Sequence, residues 1–532
     1  MKLIFVTWWV VSWLGKWITA SSIWRLMKSA WYKVNIMKMD PYLQIDAGTM
    51  SPYEHGEVFV TDDWAETDLD LWHYERFVDV NLSWDCSVTS WKIYFSVIQK
   101  ERQWDYLWKT VQVIPHITDE IKSRVKNVAK DSDVTIIEIW WTIWDIEALH
   151  FIEAIRQLKK DVWQENVLYV HVAPIMFMNT SWEIKTKPVQ HSVRDLRQSW
   201  IQADILICRT SVNMSKDIKE KISLLCDVDA ECVIEAIDAK SIYEVPLLYK
   251  NQNLDKIIQK KLNLKENESD LSKWSEYVNN LLNPEKTITI WIVWKYTQFR
   301  DTYLSLMEAI SHAWANNKTK VKLNWIESET LENIDYMKYL ADLHKSWQLD
   351  GMIIPWWFWK RWVEWKINAV RFARENNIPF LWICLWLQVS VMEFARNVCN
   401  IKDANSTEFD ENAKEPVIDF MEEQREITQK WWTMRLWEYK AILKQWTLAF
   451  KLYWQKEVFE RHRHRYEVNF NYHKILQDNW LVISWLSPND TLAEFIEIPN
   501  HKYFIATQSH PELKSRINNV HPLFDGLVKA CL

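Results

Sequence analysis

The sequence predicts an α/β protein with two doubly wound domains, each built on a mainly parallel sheet. Three observations lead to this prediction. Apolar, β-branched runs alternate with helix-like segments in the first half of the chain, the alternation returns in the second half, and a polar stretch separates the two series. Short continuous apolar runs are typical of buried parallel strands. The chain of 532 residues also exceeds one ordinary core, since a domain takes about 100–200 residues.

The first series places strands at 2–7, 34–40, 134–139, 167–175 and 204–210, with helices such as 16–31 and 148–162 between them. The second series places strands at 287–294, 320–326, 351–355 and 379–383, with helices near 302–316, 331–346 and 364–376. The polar text at 265–286 has no strand-like run and a proline near its end, as interdomain linkers often do. We therefore expect a first domain at 1–264, a linker at 265–286 and a second domain at 287–532.

Composition argues against several classes of protein. The formal charge of −7 disfavours a general nucleic-acid binder. The seven cysteines form no CxxC pair, which favours a reducing, cytoplasmic location over a disulfide scaffold or a zinc site. No stretch reaches the roughly 20 apolar residues of a membrane-spanning helix, so we expect no membrane partner.

Tryptophan and glycine have unusual counts, 38 and 5. Average usage near 7% predicts about 37 glycines in a chain of this length, so the two counts look exchanged. Trp-Trp pairs at 8–9, 140–141, 356–357 and 431–432 also stand where strands give way to loops, which are glycine settings. Our hypothesis is that the source reads UGA as glycine and that most of these tryptophans stand at glycine positions. Trp274, in a helical context, is the candidate for a genuine tryptophan.

The loop from Thr7 to Trp17 follows the first strand and opens a helix. With glycine at its tryptophan positions it is similar to a phosphate-binding loop, in which backbone N–H groups surround phosphates and a lysine, here Lys16, reaches the terminal ones. The match to the P-loop pattern is imperfect, because residue 17 is neither Ser nor Thr. This segment alone is therefore also compatible with a plain buried turn.

Cys384 lies where a strand enters a helix, flanked by Trp382 and Trp386 at positions that suit glycine. This arrangement is typical of a nucleophile elbow. A thiol at a helix N-terminus has a lowered pKa, which makes it a better nucleophile. Of the seven cysteines, only Cys384 has this setting.

The run from Lys38 to Val60, the segment from Asp68 to Phe77 and the segment from Val111 to Thr118 resemble the long signature of CTP synthases. The resemblance extends over the whole chain. It implies a P-loop, Rossmann-like amidoligase domain joined to a flavodoxin-like class I glutamine amidotransferase domain. The implied enzyme is a ligase that aminates UTP to CTP with ATP and ammonia from glutamine, the last step of de novo CTP synthesis.

The resemblance also implies residues for the ATP site. They are Trp13, Leu14, Gly15, Lys16, Trp17, Ile18, Lys38 and Asp70. Asp70 and Glu138 match the family's magnesium ligands, and carboxylates combined with nucleotide phosphates are what Mg²⁺ favours. Lys16 and Lys38 match the lysines that neutralise charge during phosphoryl transfer. Mg²⁺ is therefore the expected cofactor and ATP the co-substrate.

For the pyrimidine nucleotide, the resemblance implies a site shared by UTP and CTP. Its residues are Ser12, Asp145, Ile146, Glu147, Lys185, Thr186, Lys187, Pro188, Val189, Gln190 and Lys221. It implies feedback inhibition by CTP, activation by GTP at a site that we do not assign, and a homotetramer that can form filaments.

For the glutaminase site, the resemblance implies a triad of Cys384, His510 and Glu512, with His510 as base and Glu512 as its orienting carboxylate. The glutamine-binding residues it implies are Trp357, Leu385, Trp386, Leu387, Gln388, Glu408 and Arg465. The loop 355–359 matches the family's oxyanion loop. His462 and His464 share one face of a strand, but the interleaved arginines disfavour a metal site there.

Two alternatives stay open at this point. The chain could be an inactive nucleotide-binding or filament-forming relative if the tryptophans are translated as written, although the polar catalytic residues are intact. The second alternative is another P-loop amidoligase, such as cobyrinate or dethiobiotin synthetase, although those enzymes lack the run from Asp40 to Val58.

Overall fold

A computed structural model of the chain describes residues 1–9, 15–51, 56–63, 65–178, 180, 182–294, 303–327, 335–346, 349–354, 363–420, 435–486 and 492–532. The chain divides into two compact units. The first contains residues 1–50 and 69–275, and the second contains residues 51–68 and 276–532. Among the described helices, none is long and apolar enough to cross a membrane.

The first unit is built on a parallel sheet of seven strands, in the order β11-β10-β7-β1-β6-β2-β5. Its strands are β1 (Lys2–Trp8), β2 (Val34–Asp40), β5 (Ser87–Thr89), β6 (Val134–Ile139), β7 (Val167–Pro174), β10 (Ile205–Thr210) and β11 (Val233–Ile237). Both faces of the central strands are covered, which explains why they read as continuous apolar runs. Each strand of the first series predicted from the sequence is present in this sheet.

Helices connect these strands as the alternating pattern predicts. They are α1 (Lys16–Ser29), α2 (Asp70–Val78), α3 (Ser90–Arg102), α4 (Thr118–Val128), α5 (Leu149–Asp161), α6 (Lys187–Gln198), α7 (Lys216–Cys226), α8 (Val245–Asn251), α9 (Leu254–Lys261) and α10 (Ser272–Leu282). Local sequence explains several starts. The Thr89 side chain accepts a hydrogen bond from the backbone N–H of Lys92 at 3.2 Å and caps α3, and a proline stands in the first turn of α6.

The second unit contains a sheet of nine strands, in the order β13-β12-β14-β15-β23-β22-β21-β18-β19. The strands are β12 (Lys286–Trp294), β13 (Thr319–Glu327), β14 (Gly351–Ile354), β15 (Phe380–Ile383), β18 (Arg435–Leu443), β19 (Glu457–His464), β21 (Val482–Leu486), β22 (Ala493–Glu497) and β23 (Phe504–Thr507). The five strands from β13 to β23 pair in parallel and the others pair antiparallel. All four strands predicted for the second domain belong to the parallel part.

Seven helices accompany this sheet in the described part of the second unit, besides the end of α10. They are α11 (Leu304–Asn316), α12 (Tyr336–Lys345), α13 (Val363–Glu375), α14 (Leu385–Asn397), α15 (Leu448–Tyr453), α16 (His473–Asp478) and α17 (Pro522–Cys531). Three short strands, β16 (Ala404–Ser406), β17 (Glu415–Phe420) and β20 (Tyr466–Val468), form a separate sheet beside them. The first unit also has a hairpin of β8 (Met176–Met178) and β9 (Glu183–Lys185).

Residues 51–68 lie within the second unit, whereas the sequence analysis placed them in a first domain at 1–264. Their described part, residues 51, 56–63 and 65–68, is called the inserted segment below. It forms a short hairpin of β3 (Phe59–Val60) and β4 (Glu66–Thr67). The segment packs there because its acidic side chains meet basic side chains and a helix N-terminus of the second unit. The linker at 265–286 and the other domain limits stay predictions.

Tryptophans occupy many left-handed backbone positions. Of the nineteen non-glycine residues with positive φ in the described chain, nine are tryptophan, namely Trp31, Trp104, Trp108, Trp163, Trp182, Trp200, Trp437, Trp454 and Trp480. Bulky side chains seldom adopt positive φ, and glycine adopts it without steric cost. Most of these indoles are also exposed, for example Trp31 at 83%. Trp274 differs, because its ring is buried and its Nε1 donates to the Tyr243 carbonyl at 2.7 Å.

Candidate active sites

The turn between β15 and α14 carries Cys384. Its backbone has φ 60° and ψ −116°, a strained conformation for a residue with a side chain. Its N–H donates to the Thr507 carbonyl at 2.7 Å, and its own carbonyl accepts from the N–H of Leu387 at 3.0 Å. The thiol therefore sits at the N-terminus of α14.

His510 and Glu512 follow β23, the strand that pairs in parallel with β15. Nδ1 of His510 donates to Oε1 of Glu512 at 2.6 Å, and both side chains are buried. Burial by itself lowers the pKa of His510, but the neighbouring Cys384 and Glu512 favour the charged ring more strongly and raise that pKa to about 10. The imidazole is thus poised as a proton donor next to the thiol.

Strand β19 supplies two backbone carbonyls to this site. The Arg461 carbonyl accepts from the N–H of His510 at 2.8 Å. The Arg463 carbonyl accepts a weak hydrogen bond from Sγ of Cys384 at 3.8 Å. One strand therefore touches both the proposed base and the proposed nucleophile.

A cavity of about 240 Å³ opens beside the thiol. It is lined by Cys384, Leu385, Gln388, Glu408, Arg463, His464, Arg465 and Tyr466. The structure thus brings four of the residues implied for glutamine together around the nucleophile. Among these residues Glu408 offers a carboxylate and Arg465 a guanidinium, which suits the two charged α-groups of an amino acid.

Three residues implied for glutamine do not line this cavity through a described side chain. The side chain of Leu387 is fully buried in the hydrophobic core, so only its backbone could serve a ligand. Trp386 lies in the first turn of α14, and its side chain is not described. Trp357 and the loop 355–359 lie outside the described residues.

Sequence reasoning did not single out Gln508, Tyr466 or the carbonyl of Arg463. Nε2 of Gln388 donates to the Tyr466 carbonyl at 2.8 Å and to Oε1 of Gln508 at 3.3 Å. Nε2 of Gln508 lies 3.9 Å from Sγ of Cys384. The basic, histidine-rich block around residue 463 indicated that this strand matters. It could not indicate contacts made by backbone carbonyls, because such contacts leave no pattern of side chains in a sequence.

His462 and His464 lie in a buried ionic cluster. Nδ1 of His462 lies 3.0 Å from Nε2 of His464. Arg435 pairs with Glu494 at 2.6 Å and with Glu467 at 3.1 Å in the same region. Burial and then the charge of Arg435 hold the pKa of both histidines well below the ordinary value, so the two rings are neutral.

The first unit gathers charged side chains at the carboxyl ends of neighbouring strands. Lys38 of β2 and Glu138 of β6 are partners in the parallel register. Nζ of Lys38 lies 2.8 Å from Asp70 and 3.0 Å from Asp40, and Nζ of Lys16 lies 3.9 Å from Glu138. Ligands of open α/β sheets bind at this end of the strands.

These groups perturb one another strongly. Burial lowers the pKa of Lys16 to about 8. Burial raises the pKa of Asp70, but Lys38 and Lys16 outweigh it and bring that pKa to about 2. Burial raises the pKa of Glu138 to about 7 despite Lys16. A cluster of shifted groups beside a loop and a helix start is typical of a functional site.

The residues fit Mg²⁺ when nucleotide phosphates complete its coordination. In the chain as described, no group of three or more His, Cys, Asp or Glu side chains converges on one metal position. Mg²⁺ commonly takes one or two protein carboxylates and fills its remaining positions with phosphate and water oxygens. Oε1 of Glu138 is buried and accepts no hydrogen bond, which leaves an oxygen available to a cation.

The predicted phosphate loop is described from Gly15 onward, so Ser12, Trp13 and Leu14 lie outside the described residues. Gly15 has φ +87° and caps the N-terminus of α1, where Lys16, Trp17 and Ile18 form the first turn. The indole of Trp17 stacks on His73 with ring centroids 4.0 Å apart, inside the unit. The ring of Trp140 lies 4.4 Å from Nζ of Lys16 and fills space near the lysine.

The residues implied for UTP and CTP lie in three parts of the first unit. Asp145 accepts hydrogen bonds from the N–H and hydroxyl of Thr142, while Ile146 and Glu147 are exposed in the loop after β6. The second group spans the end of β9 and the start of α6, namely Lys185, Thr186, Lys187, Pro188, Val189 and Gln190. Lys221 is exposed on α7, and Val189 is fully buried, so Val189 could contact a ligand only through its backbone.

Two family models match the chain. The family described as CTP synthase N-terminus matches residues 2–264. The family described as glutamine amidotransferase class-I matches residues 298–530. The matched ranges contain every site residue named above.

Curated relatives match along their whole length. A CTP synthase of Methanocaldococcus jannaschii is 58% identical over 532 residues, covering 100% of this chain and 98% of the relative. CTP synthases of Methanococcus maripaludis and Carboxydothermus hydrogenoformans are 57% and 52% identical, covering all of this chain and 100% and 98% of the relatives. A solved glutaminase domain of Trypanosoma brucei CTPS with bound acivicin is 31% identical, with a TM-score of 0.43, and covers 46% of this chain and 93% of its own. The curated relatives and the two family matches show that the chain belongs to the CTP synthase family.

Proposed function

We propose that the chain forms CTP by ATP-dependent amination of UTP, with ammonia that it releases from glutamine. One observation carries the proposal. Cys384, His510 and Glu512 converge beside a cavity with Gln388, Glu408 and Arg465, in a chain that belongs to this family over its full length. An inactive nucleotide-binding relative is not favoured, because these polar groups are all present and mutually arranged.

At the glutaminase site, the thiolate of Cys384 attacks the side-chain amide of glutamine and forms a thioester. The protonated His510 gives its proton to the departing ammonia, and Glu512 stabilises and orients the imidazolium ring. Glu408 receives the substrate's α-ammonium group and Arg465 its α-carboxylate. A water molecule activated by His510 then hydrolyses the thioester. Trp357 and its loop are proposed to face the oxyanion through backbone N–H groups.

In the first unit, Lys16 and Lys38 offset the charge that develops as ATP phosphorylates O4 of UTP. Asp70 and Glu138 would hold Mg²⁺, which neutralises phosphate charge and orients the phosphoryl group. Ammonia then displaces the phosphate from C4. Trp13, Leu14, Gly15, Trp17 and Ile18 complete the proposed ATP loop.

The pyrimidine site is proposed at the residues assigned from the sequence, from Ser12 through Lys221. The exposure of Ile146, Glu147, Lys185, Lys187 and Lys221 on a single chain suits a site completed by another subunit, as in the predicted homotetramer. Inhibition by CTP, activation by GTP and a cytoplasmic location are part of the same proposal.

We also propose that the native chain has glycine at most tryptophan positions. The nine tryptophans at positive φ support this, since each stands where glycine has no steric cost. The crowding of Lys16 by indoles supports it too, because a phosphate needs that space.

The test measures CTP formation from UTP, ATP and Mg²⁺ with either glutamine or ammonia as nitrogen donor. Two synthetic genes are compared, one as written and one with glycine at the tryptophan positions other than Trp274. We expect activity from the glycine version, and we expect Cys384→Ala to remove only the reaction with glutamine. If neither folded protein forms CTP from ammonia, the proposed function is wrong.

A further inference from the structure

The inserted segment places two carboxylates against strand β19 within the second unit. Oδ1 of Asp62 lies 2.6 Å from Nε of Arg461, and Oε1 of Glu66 lies 2.9 Å from Nε of Arg463. The two arginines are two residues apart, so their side chains leave the same face of the strand. The segment therefore contacts β19 at two successive positions of one face.

Both ion pairs are largely shielded from water, and the most exposed of the four side chains, Asp62, is 22% exposed. The Arg461 side chain is fully buried and its guanidinium lies 4.8 Å from the Phe59 ring centre. The Glu66 side chain is 4% exposed and that of Arg463 is 13% exposed. Shielded pairs of this kind hold their geometry far better than exposed ones, and the loss of one partner leaves the other charge buried.

The same two arginines carry the carbonyls that contact the catalytic residues. The Arg461 carbonyl accepts from the N–H of His510 at 2.8 Å, and the Arg463 carbonyl faces Sγ of Cys384 at 3.8 Å. Each carboxylate of the inserted segment is thus linked through one arginine to one catalytic residue. Asp62 is linked to His510 through Arg461, and Glu66 is linked to Cys384 through Arg463.

The opposite face of the strand is held separately. Glu460 accepts from His521 at 2.9 Å and from the Tyr453 hydroxyl at 2.8 Å. His462 and His464 belong to the Arg435 cluster described above. Removal of the carboxylates of the inserted segment therefore takes two ion pairs from one face of β19, while the other face keeps its contacts and the backbone keeps its pairing with β18.

We propose that Asp62 and Glu66 are positioning residues for the glutaminase site, which they align by fixing β19 through Arg461 and Arg463. The inference rests on the proposed glutaminase function. The inserted segment lies within residues 2–264, which match the family described as CTP synthase N-terminus. The inference makes this segment a determinant of glutamine hydrolysis. A shift of the strand by a fraction of an ångström changes the alignment of thiol and imidazole, to which catalysis is steeply sensitive.

The test uses full-length Asp62→Asn and Glu66→Gln variants. We expect kcat for glutamine hydrolysis to fall at least about 10-fold in each, with the KM for glutamine and the ammonia-dependent formation of CTP within about 3-fold of the parent. The KM should change less than kcat, because Glu408 and Arg465 keep their charges, whereas kcat depends on the alignment of the thiol and the imidazole. Asp62→Glu and Glu66→Asp keep the charge and should recover part of kcat.

Glu457→Gln is the matched control, since Glu457 lies on the same strand and pairs with Lys440 at 2.8 Å away from the triad. The rate at which iodoacetamide alkylates Cys384 provides a readout that needs no substrate, and it should fall in Glu66→Gln but not in Glu457→Gln. Unchanged kcat and alkylation in both test variants would overturn the inference. A parallel loss of the ammonia-dependent reaction would also overturn it, because the effect would then be general. If the parent hydrolyses no glutamine while alkylation still falls in Glu66→Gln, the proposed function fails and the positioning role stands.

Discussion

Nδ1 of His510 lies 2.6 Å from Oε1 of Glu512, and both groups are buried beside the thiol of Cys384. Cys384 and then Glu512 raise the pKa of His510 and keep a positive imidazole stable in the interior, where burial alone would lower that pKa. The nucleophile and the base thus depend on a carboxylate two residues from the histidine.

Replacement of Glu512 by glutamine should uncouple this arrangement. We expect the pKa of His510 to fall from about 10, and kcat for glutamine hydrolysis to fall by about 10²-fold or more, because the ring loses its orienting charge. Ammonia-dependent CTP formation should persist. The measurement is steady-state kinetics with each nitrogen donor, and Glu438→Gln, which removes a partner of Lys514, is the control. Equal losses with both donors would contradict this role.

At the nucleotide site, Asp70→Asn removes the carboxylate that pairs with Lys38 at 2.8 Å. We expect CTP formation to fall by about 10²-fold or more with glutamine and with ammonia alike, since both need the same phosphorylated intermediate. Asp79→Asn at the other end of α2 is a matched control, because asparagine tolerates the left-handed φ of 57° found there. The assay is CTP formation at saturating ATP, and a loss restricted to glutamine would argue against the assignment.

Arg435 should be a strong determinant of stability. It pairs with Glu467 and Glu494, and all three side chains are at most 4% exposed. Arg435→Met leaves two carboxylates buried without their counter-charge, which should lower the free energy of unfolding by about 3–5 kcal/mol. Chemical denaturation of the full chain, followed by tryptophan fluorescence, measures the change. A loss below about 1 kcal/mol, as exposed pairs give, would show that the carboxylates find other partners.

Glu57 should make stability fall as the pH rises. Burial, followed by repulsion from Glu512, raises the pKa of Glu57 to about 8 from an ordinary value of 4.5, although the Ser305 N–H and His510 act in the opposite direction. Between these values the folded state keeps a proton that the unfolded state has released. The free energy of unfolding therefore decreases as pH rises through this window, by at most about 1.4 kcal/mol per pH unit.

Glu57→Gln removes this dependence. The variant should gain stability relative to the parent at pH 8 and much less at pH 5, as measured by denaturation midpoints at the two pH values. Glutamine keeps an oxygen that can accept from the Ser305 N–H, which the carboxylate does at 3.1 Å. An equal shift at both pH values would mean that Glu57 is ionised throughout.

Two tryptophans provide a direct comparison for the glycine hypothesis. Trp31 has φ 65° and is 83% exposed just after α1, so Trp31→Gly should raise stability by about 1 kcal/mol. Trp274 is buried and hydrogen-bonded, so Trp274→Gly should cost about 3–5 kcal/mol. Thermal unfolding measures both, and mass spectrometry of peptides from the source shows which residue is present. Destabilisation by both changes would weaken the hypothesis.

The sequence predicted nine of the parallel strands and Cys384 because each has a strong local signal, and it missed the parallel strands β5, β11 and β23. Buried strands are continuous apolar runs, and the nucleophile stands between a strand and a helix. Leu387 was assigned to the cavity together with Gln388, yet helical geometry directs them apart. Position 388 is four residues after Cys384 and lies on the same face of α14, whereas position 387 points into the core.

The placement of the inserted segment could not be read from the sequence. Its strands β3 and β4 have two residues each, too few to produce a periodic pattern. Its contacts with Arg461 and Arg463 span about 400 positions of the chain, and only the folded structure brings them together. The antiparallel strands β18 and β19 were missed for a related reason, since their mixed burial weakens the apolar runs.

Because residues 51–68 belong to the second unit, the gene cannot be divided simply between its two halves. A polypeptide that starts at residue 287 would contain Arg461 and Arg463 but neither Asp62 nor Glu66, and Ser305 would lose its carboxylate acceptor. The buried guanidinium of Arg461 would then lack the carboxylate of Asp62. The two halves are therefore not interchangeable cassettes, and a chimera with another amidotransferase would need to carry this short stretch of the N-terminal half with it.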